Sequence, residues 1–115
     1  MNAWLMIVTA GAGLVFVAVA IPLIRRRIPP NALYGLRVPA TFADEWVWYE
    51  ANARSGRDLL WLGVILTVLA VGLPALGLGI TAYIVWGLVA GPGVIAMGIV
   101  GWLRANRLLE ERRRT

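Results

Sequence analysis

Hydrophobic residues fill two long stretches of this chain, and polar residues collect between and after them. Ala3 to Ile24 carries no charged residue. As a helix those residues would reach roughly 33 Å, enough for a hydrocarbon core of about 30 Å. Arg25, Arg26 and Arg27 follow at once, and no basic segment precedes the run. That order fits a stop-transfer flank rather than a cleaved signal peptide. Leu59 to Leu103 is also uncharged and is about twice as long as one span requires. It must fold back on itself. The punctuation at Gly72, Pro74, Gly77 and Gly79 places the turn near 77–79. The pattern predicts spans over about 3–24, 58–76 and 80–104 within a single membrane domain. Pro74 is expected to kink the end of the second span, and Gly91-Pro92-Gly93 to bend the third.

The polar loop 25–57 has its own pattern. Ile28-Pro29-Pro30 is stiff and extended, and Asn31 to Pro39 is rich in turn formers. Thr41 with Asp44 three residues later resembles a capping box. Phe42, Trp46, Tyr49 and Ala53 share one helical face, Glu50 and Arg54 form an i,i+4 pair, and Gly56 suits a helix stop. These signals predict an amphipathic helix over 42–55, lying on the membrane surface. The expected fold class is therefore an all-α membrane protein. It has three transmembrane helices and an amphipathic cytoplasmic loop helix between the first and second.

Composition supports a bilayer as the solvent. The chain has 115 residues, 60% of them hydrophobic and 15% charged, with a mean hydropathy of +0.76. A soluble domain of this size could not bury so much apolar surface. Cys and His are both absent, which removes thiolate chemistry, the commonest general base and the commonest metal ligand. No nucleophile–base pair or phosphate-binding glycine loop stands out, so the residues argue against an enzyme, and no cofactor is expected. Asp58 and Arg104 stand at the very ends of their predicted spans and no carboxylate or arginine lies inside one, which argues against a pump or coupled transporter.

The net charge of +5 comes from eleven arginines and six acidic residues. All eleven arginines lie in the loop 25–57 or after Leu103. The positive-inside rule then puts both segments in the cytoplasm, the amino terminus outside and the carboxyl terminus inside a cytoplasmic (inner) cell membrane. Trp46, Trp61 and Trp102 are candidate interfacial anchors; Trp48 could anchor or grip a ligand. Arg25 to Arg27 could meet lipid headgroups, although topology alone accounts for them. Direct nucleic-acid binding is not expected, because Glu110 and Glu111 offset Arg112 to Arg114. Asp44, Glu45 and Glu50 read as ion-pair and dipole partners rather than metal ligands. Arg37 has no topological reason to be where it is, and a structural or a binding role would explain it. Small residues recur along each span: Ala10, Gly13 and Ala20; Gly63, Thr67, Ala70 and Gly77; Gly87, Gly91, Gly98, Gly101 and Ala105. They suit internal packing, a homo-oligomer seam or a larger membrane complex.

The ordered set Asn31, Tyr34, Gly35, Arg37, Thr41, Trp48, Asn52 and Gly56 resembles the signature of the SdpI family of small bacterial membrane proteins. The resemblance implies an integral membrane protein with these eight residues as its motif. In the family's best-known member it further implies immunity to a secreted peptide toxin. That member is also implied to signal by holding a cytoplasmic regulator at the membrane. A peptide toxin, a cytoplasmic regulator and the lipid bilayer are thus the expected partners.

Overall fold

A computed structural model describes residues 3–114 as four helices: α1 (Ala3–Ile24), α2 (Pro39–Ala43), α3 (Glu45–Ala75) and α4 (Ile80–Arg114). Three of them, α1, α3 and α4, are long and apolar enough to cross a membrane. α1 coincides with the uncharged run. It ends because Arg26 turns into the left-handed region, at φ 59°. The Arg26 amide then reaches the Leu23 carbonyl at 3.2 Å and the Arg27 amide reaches Pro22 at 3.0 Å. This pair of bonds satisfies carbonyls that a helix end leaves open. The same closure ends α3, with Gly77 at φ 85° and the Leu78 amide on Leu73. The hairpin turn therefore falls where the glycines put it.

The loop helix differs from expectation. No separate surface helix covers 42–55, and the helix that carries the second apolar run begins at Glu45. Instead, the five residues of α2 are followed by α3, a single helix of 31 residues. Two physical reasons account for this. Asp44 is the N-cap of α3, accepting from the amides of Trp46 at 2.8 Å and Val47 at 3.3 Å. Thr41 does not cap that helix but sits inside α2. Gly56 does not stop a helix either. It lies buried in mid-helix against α1, where an added Cβ would come 3.0 Å from Leu23 Cβ and 3.2 Å from the Ala20 carbonyl. Its missing side chain serves close packing, and α3 runs on into the bilayer.

The buried face of this segment also differs from the one expected. Val47, Trp48, Ala51 and Asn52 are buried; of the expected face Ala53 is buried and Tyr49 half-buried, whereas Phe42 and Trp46 are exposed. Trp48, at 0% exposure, is a core residue and not an interfacial anchor.

The basic tail is not a separate tail. α4 continues through it to Arg114 and runs unbroken through Pro92; Thr115 lies outside the described residues. Ala105 and Leu108 pack with Ala40, Val47 and Ala51, flanked by Leu36, Val38 and Leu109. Arg112 fastens the end of α4, 3.3 Å from Asp44 and with its guanidinium 5.5 Å from the Trp46 ring centroid. At 1.5 Å per residue α3 is about 46 Å long and α4 about 52 Å, so both outrun a hydrocarbon core of about 30 Å. The excess forms a small helical head at the arginine-rich end of a molecule 55 Å long.

α3 is the central helix. α1 and α4 both pack along it and barely touch each other. The α1–α3 seam is built on small residues: a Cβ on Gly63 would lie 2.7 Å from the Gly13 carbonyl, and one on Gly13 would collide with Thr67. Gly101 is packed similarly against Ser55 and Leu36. Internal packing thus accounts for Gly13, Gly63, Thr67 and Gly101. It does not account for Gly87, Gly91 and Gly98, around which a Cβ would meet nothing within 4 Å.

Candidate functional site

The loop joining α1 to α2 is built by the polar residues singled out in the sequence. Asn31 folds it first. Its Oδ1 accepts from the amides of Leu33 at 2.8 Å and Tyr34 at 2.6 Å, and its Nδ2 donates to the carbonyls of Pro29 at 2.8 Å and Tyr34 at 3.1 Å. An Asn side chain mimics a backbone turn in this way. Tyr34 then ties the turn to the first span, its hydroxyl donating to the Val19 carbonyl. Burial raises the Tyr34 pKa above the usual phenol value, so the hydroxyl stays a donor through neutral pH. Gly35 follows at φ 105°, a conformation that strains any residue with a Cβ, and a Cβ here would lie 2.7 Å from Asn52 Oδ1.

Asn52 is the hub on α3. Its Oδ1 accepts the Leu36 amide at 2.5 Å, and its Nδ2 donates to the Trp48 carbonyl at 2.9 Å and the Leu36 carbonyl at 3.4 Å. Thr41 holds the other side of the same strand of chain. Its hydroxyl lies 3.0 Å from the Leu36 carbonyl and 2.9 Å from that of Val38, and accepts the Val38 amide at 3.1 Å. Trp48 donates through Nε1 to the Ile28 carbonyl at 2.8 Å. Arg37 donates to the Ala32 carbonyl across the turn. Gly56 completes the set by letting α1 and α3 meet. Seven of the eight signature residues therefore converge on one internal network or seam, and Arg37 braces the turn from its exposed side.

Charge surrounds this scaffold in an ordered way. Glu50 receives Arg26 at 2.6 Å and Arg54 at 3.0 Å, so the expected i,i+4 pair gains a second cation from the end of α1. Its carboxyl pKa is held below the usual range, chiefly by the hydrogen bond from Arg26. Arg104 on α4 meets Asp58 on α3 at 3.1 Å. The pairing of Arg104 with Asp58, and of Arg112 with Asp44, could not be read from the sequence, since both join residues distant along the chain. Trp86, also not anticipated, crosses from α4 to donate to the Leu66 carbonyl at 3.1 Å. Trp61 and Trp102 are exposed on α3 and α4, and Trp46 is partly covered by Arg112.

Two hollows flank the network. One, of about 250 Å³, lies where Leu23, Leu36, Ser55, Leu59 and Met97 meet. The Ser55 hydroxyl is buried beside it without a hydrogen-bond partner. The other, of about 290 Å³, is a cleft between α3 and α4 lined by Arg54, Arg104 and Arg107. Among the described residues, no group of three or more acidic side chains could hold a metal ion.

Three apolar spanning helices joined by a polar, internally bonded loop define a multi-pass helical membrane protein. The chain belongs to the SdpI/YfhL protein family, whose model matches residues 27–102, from the first residues of the loop into α4. No curated protein and no solved structure matches it.

Proposed function

We propose that this chain is an immunity- or signalling-type member of its family and works by docking a partner on the head at its arginine-rich end. One observation carries this reading. The signature polar groups are consumed in building the loop, while Leu33 at its tip is 91% exposed and Phe42 on α2 is 54% exposed. A loop held this rigidly presents its outward residues at little ordering cost, which favours recognition. In this reading the motif is the frame and Leu33 and Phe42 are contacts. Arg37 belongs to the frame through Ala32. The partner is a peptide toxin met at the bilayer surface or a cytoplasmic regulator, with the head on the cytoplasmic side.

The test is capture of partners from native membranes in mild detergent at matched expression. Leu33→Ala with Phe42→Ala should lose a specific soluble or peptide partner, and Leu33→Ala alone should weaken that capture with thermal stability unchanged, since the Phe42 ring also packs on Trp48 at 5.4 Å between centroids. Retention of that partner would refute the docking role. A second reading, an accessory subunit of a larger membrane complex, is favoured by one observation of its own. Gly87 and Gly91 leave α4 with open space where another helix could approach, whereas Gly98 opens on the hollow beside Leu23 and Leu59. In that case Gly91→Leu would shed integral membrane partners, and the Leu33 and Phe42 changes would not.

A further inference from the structure

The cleft between α3 and α4 has a composition that topology does not explain. The positive-inside rule accounts for arginines at this end of the molecule, but not for three of them converging on one hollow. Arg54 enters from α3, and Arg104 and Arg107 from α4. Leu103 and Arg104 lie three and four residues after Val100, Arg107 lies four and three after them, and Glu111 lies four after Arg107, so all share one side of α4. That stripe is graded. Val100 and Leu103 close the uncharged run, Arg104 is the first charge after it, and Glu111 stands at the outer rim. The cleft therefore straddles the level at which hydrocarbon gives way to headgroups.

The guanidinium groups are positioned but not saturated. Arg54 uses its Nε on Glu50, and Arg104 uses one Nη on Asp58. Each retains further N–H donors, and Arg107 is in no ion pair among the described residues. Planar guanidinium groups with free donors suit phosphate oxygens. We propose that this cleft binds an anionic glycerophospholipid, its phosphate held by Arg54, Arg104 and Arg107 and its acyl chain lying along Val100 and Leu103. The apolar wall at the bilayer side selects a lipid over a free phosphate ester. Glu111 limits the total negative charge the site accepts. Arg104 and Arg107 lie beyond the residues matched by the family model, so the site is proposed for this chain itself.

The experiment titrates purified protein in mild detergent with phosphatidylglycerol and follows the bound lipid by native mass spectrometry. One saturable lipid per chain is expected. Arg107→Gln should weaken binding roughly fivefold and adding Arg54→Gln roughly fivefold more, from the contribution of one cation near a lipid phosphate. Glu111→Gln should tighten it. Arg113→Gln with Arg114→Gln, which removes as much charge outside the cleft, should leave it unchanged. Millimolar glycerol 3-phosphate should not displace the lipid. Arg107 is exposed and makes no ion pair among the described residues, so its substitution leaves the helix contacts intact, which circular dichroism verifies. Wild-type affinity in the Arg107 variant would overturn the site. An equal loss in the Arg113 and Arg114 variant would reduce it to diffuse attraction and overturn it too. Displacement by glycerol 3-phosphate would overturn the lipid assignment.

Discussion

Asn52 shows how much one side chain can decide. It is 2% exposed and gives a single amide to both the amide and the carbonyl of Leu36 and to the Trp48 carbonyl. Truncation in Asn52→Ala would leave the Leu36 amide without its partner, at a cost of about 2 kcal/mol. A lower melting temperature in detergent, with partner binding lost through the loop's collapse, is the expected result. Gly35→Ala should act on the same network by a different route, combining a strained φ with collision on Asn52. Glu50 is the residue through which pH enters. Its pKa is lowered in the folded state, so the ion pairs it makes stabilise the protein above the ordinary carboxylate range. That stability is present at neutral pH and is lost as pH falls from the ordinary value through the lowered one. Thermal melts across the acid range should show this slope, and Glu50→Gln should flatten it.

At the level of helices, glycines separate into two kinds that one substitution can distinguish. Gly63→Ala forces a Cβ against the Gly13 carbonyl and should cost about 2 kcal/mol through overpacking. Gly91→Ala meets nothing in the monomer and should leave its melting temperature unchanged or higher. The sequence pattern made the spans legible, because a run without charge such as Ala3 to Ile24 has few alternatives to a membrane helix. It also located the hairpin, because Gly77 and Gly79 both suit a left-handed closure there, and the structure uses Gly77. It misled at Gly56, since a glycine looks the same whether it ends a helix or lets another helix approach. Only the position of α1, set by tertiary packing, separates these uses. Thr41 and Asp44 were ambiguous likewise: either can cap, and the choice depends on where Leu36 and Val38 present their backbone. The continuous α3 has a direct check in hydrogen exchange, in which amides from Arg54 to Leu60 should be protected and not exchange as a joint.

In the whole molecule, a thin membrane bundle supports a head made from the ends of two long helices. The head's core is small, with Ala40, Val47, Ala51, Ala105 and Leu108 at its centre. Leu108→Asp should therefore detach the end of α4 and expose the arginines of its last turn to trypsin. The three membrane helices should stay inserted, because their seams lie elsewhere, at Gly13, Gly63 and the Trp86 bond. Protein that stays in the membrane fraction but has lost its carboxyl end to trypsin would bear this out.

α3 runs without interruption from its Asp44 cap to the Gly77 turn, and this makes it a lever with its fulcrum in the bilayer. The residues before Leu59 extend it by about 21 Å beyond the uncharged run. A span tilts as the surrounding bilayer thins, and a tilt of about 10° would swing the Asp44 end sideways by roughly 4 Å. Loop, α2 and the end of α4 are all fastened to that arm and would travel with it. The thickness of the membrane is in this way written into the position of the surface proposed to receive a partner.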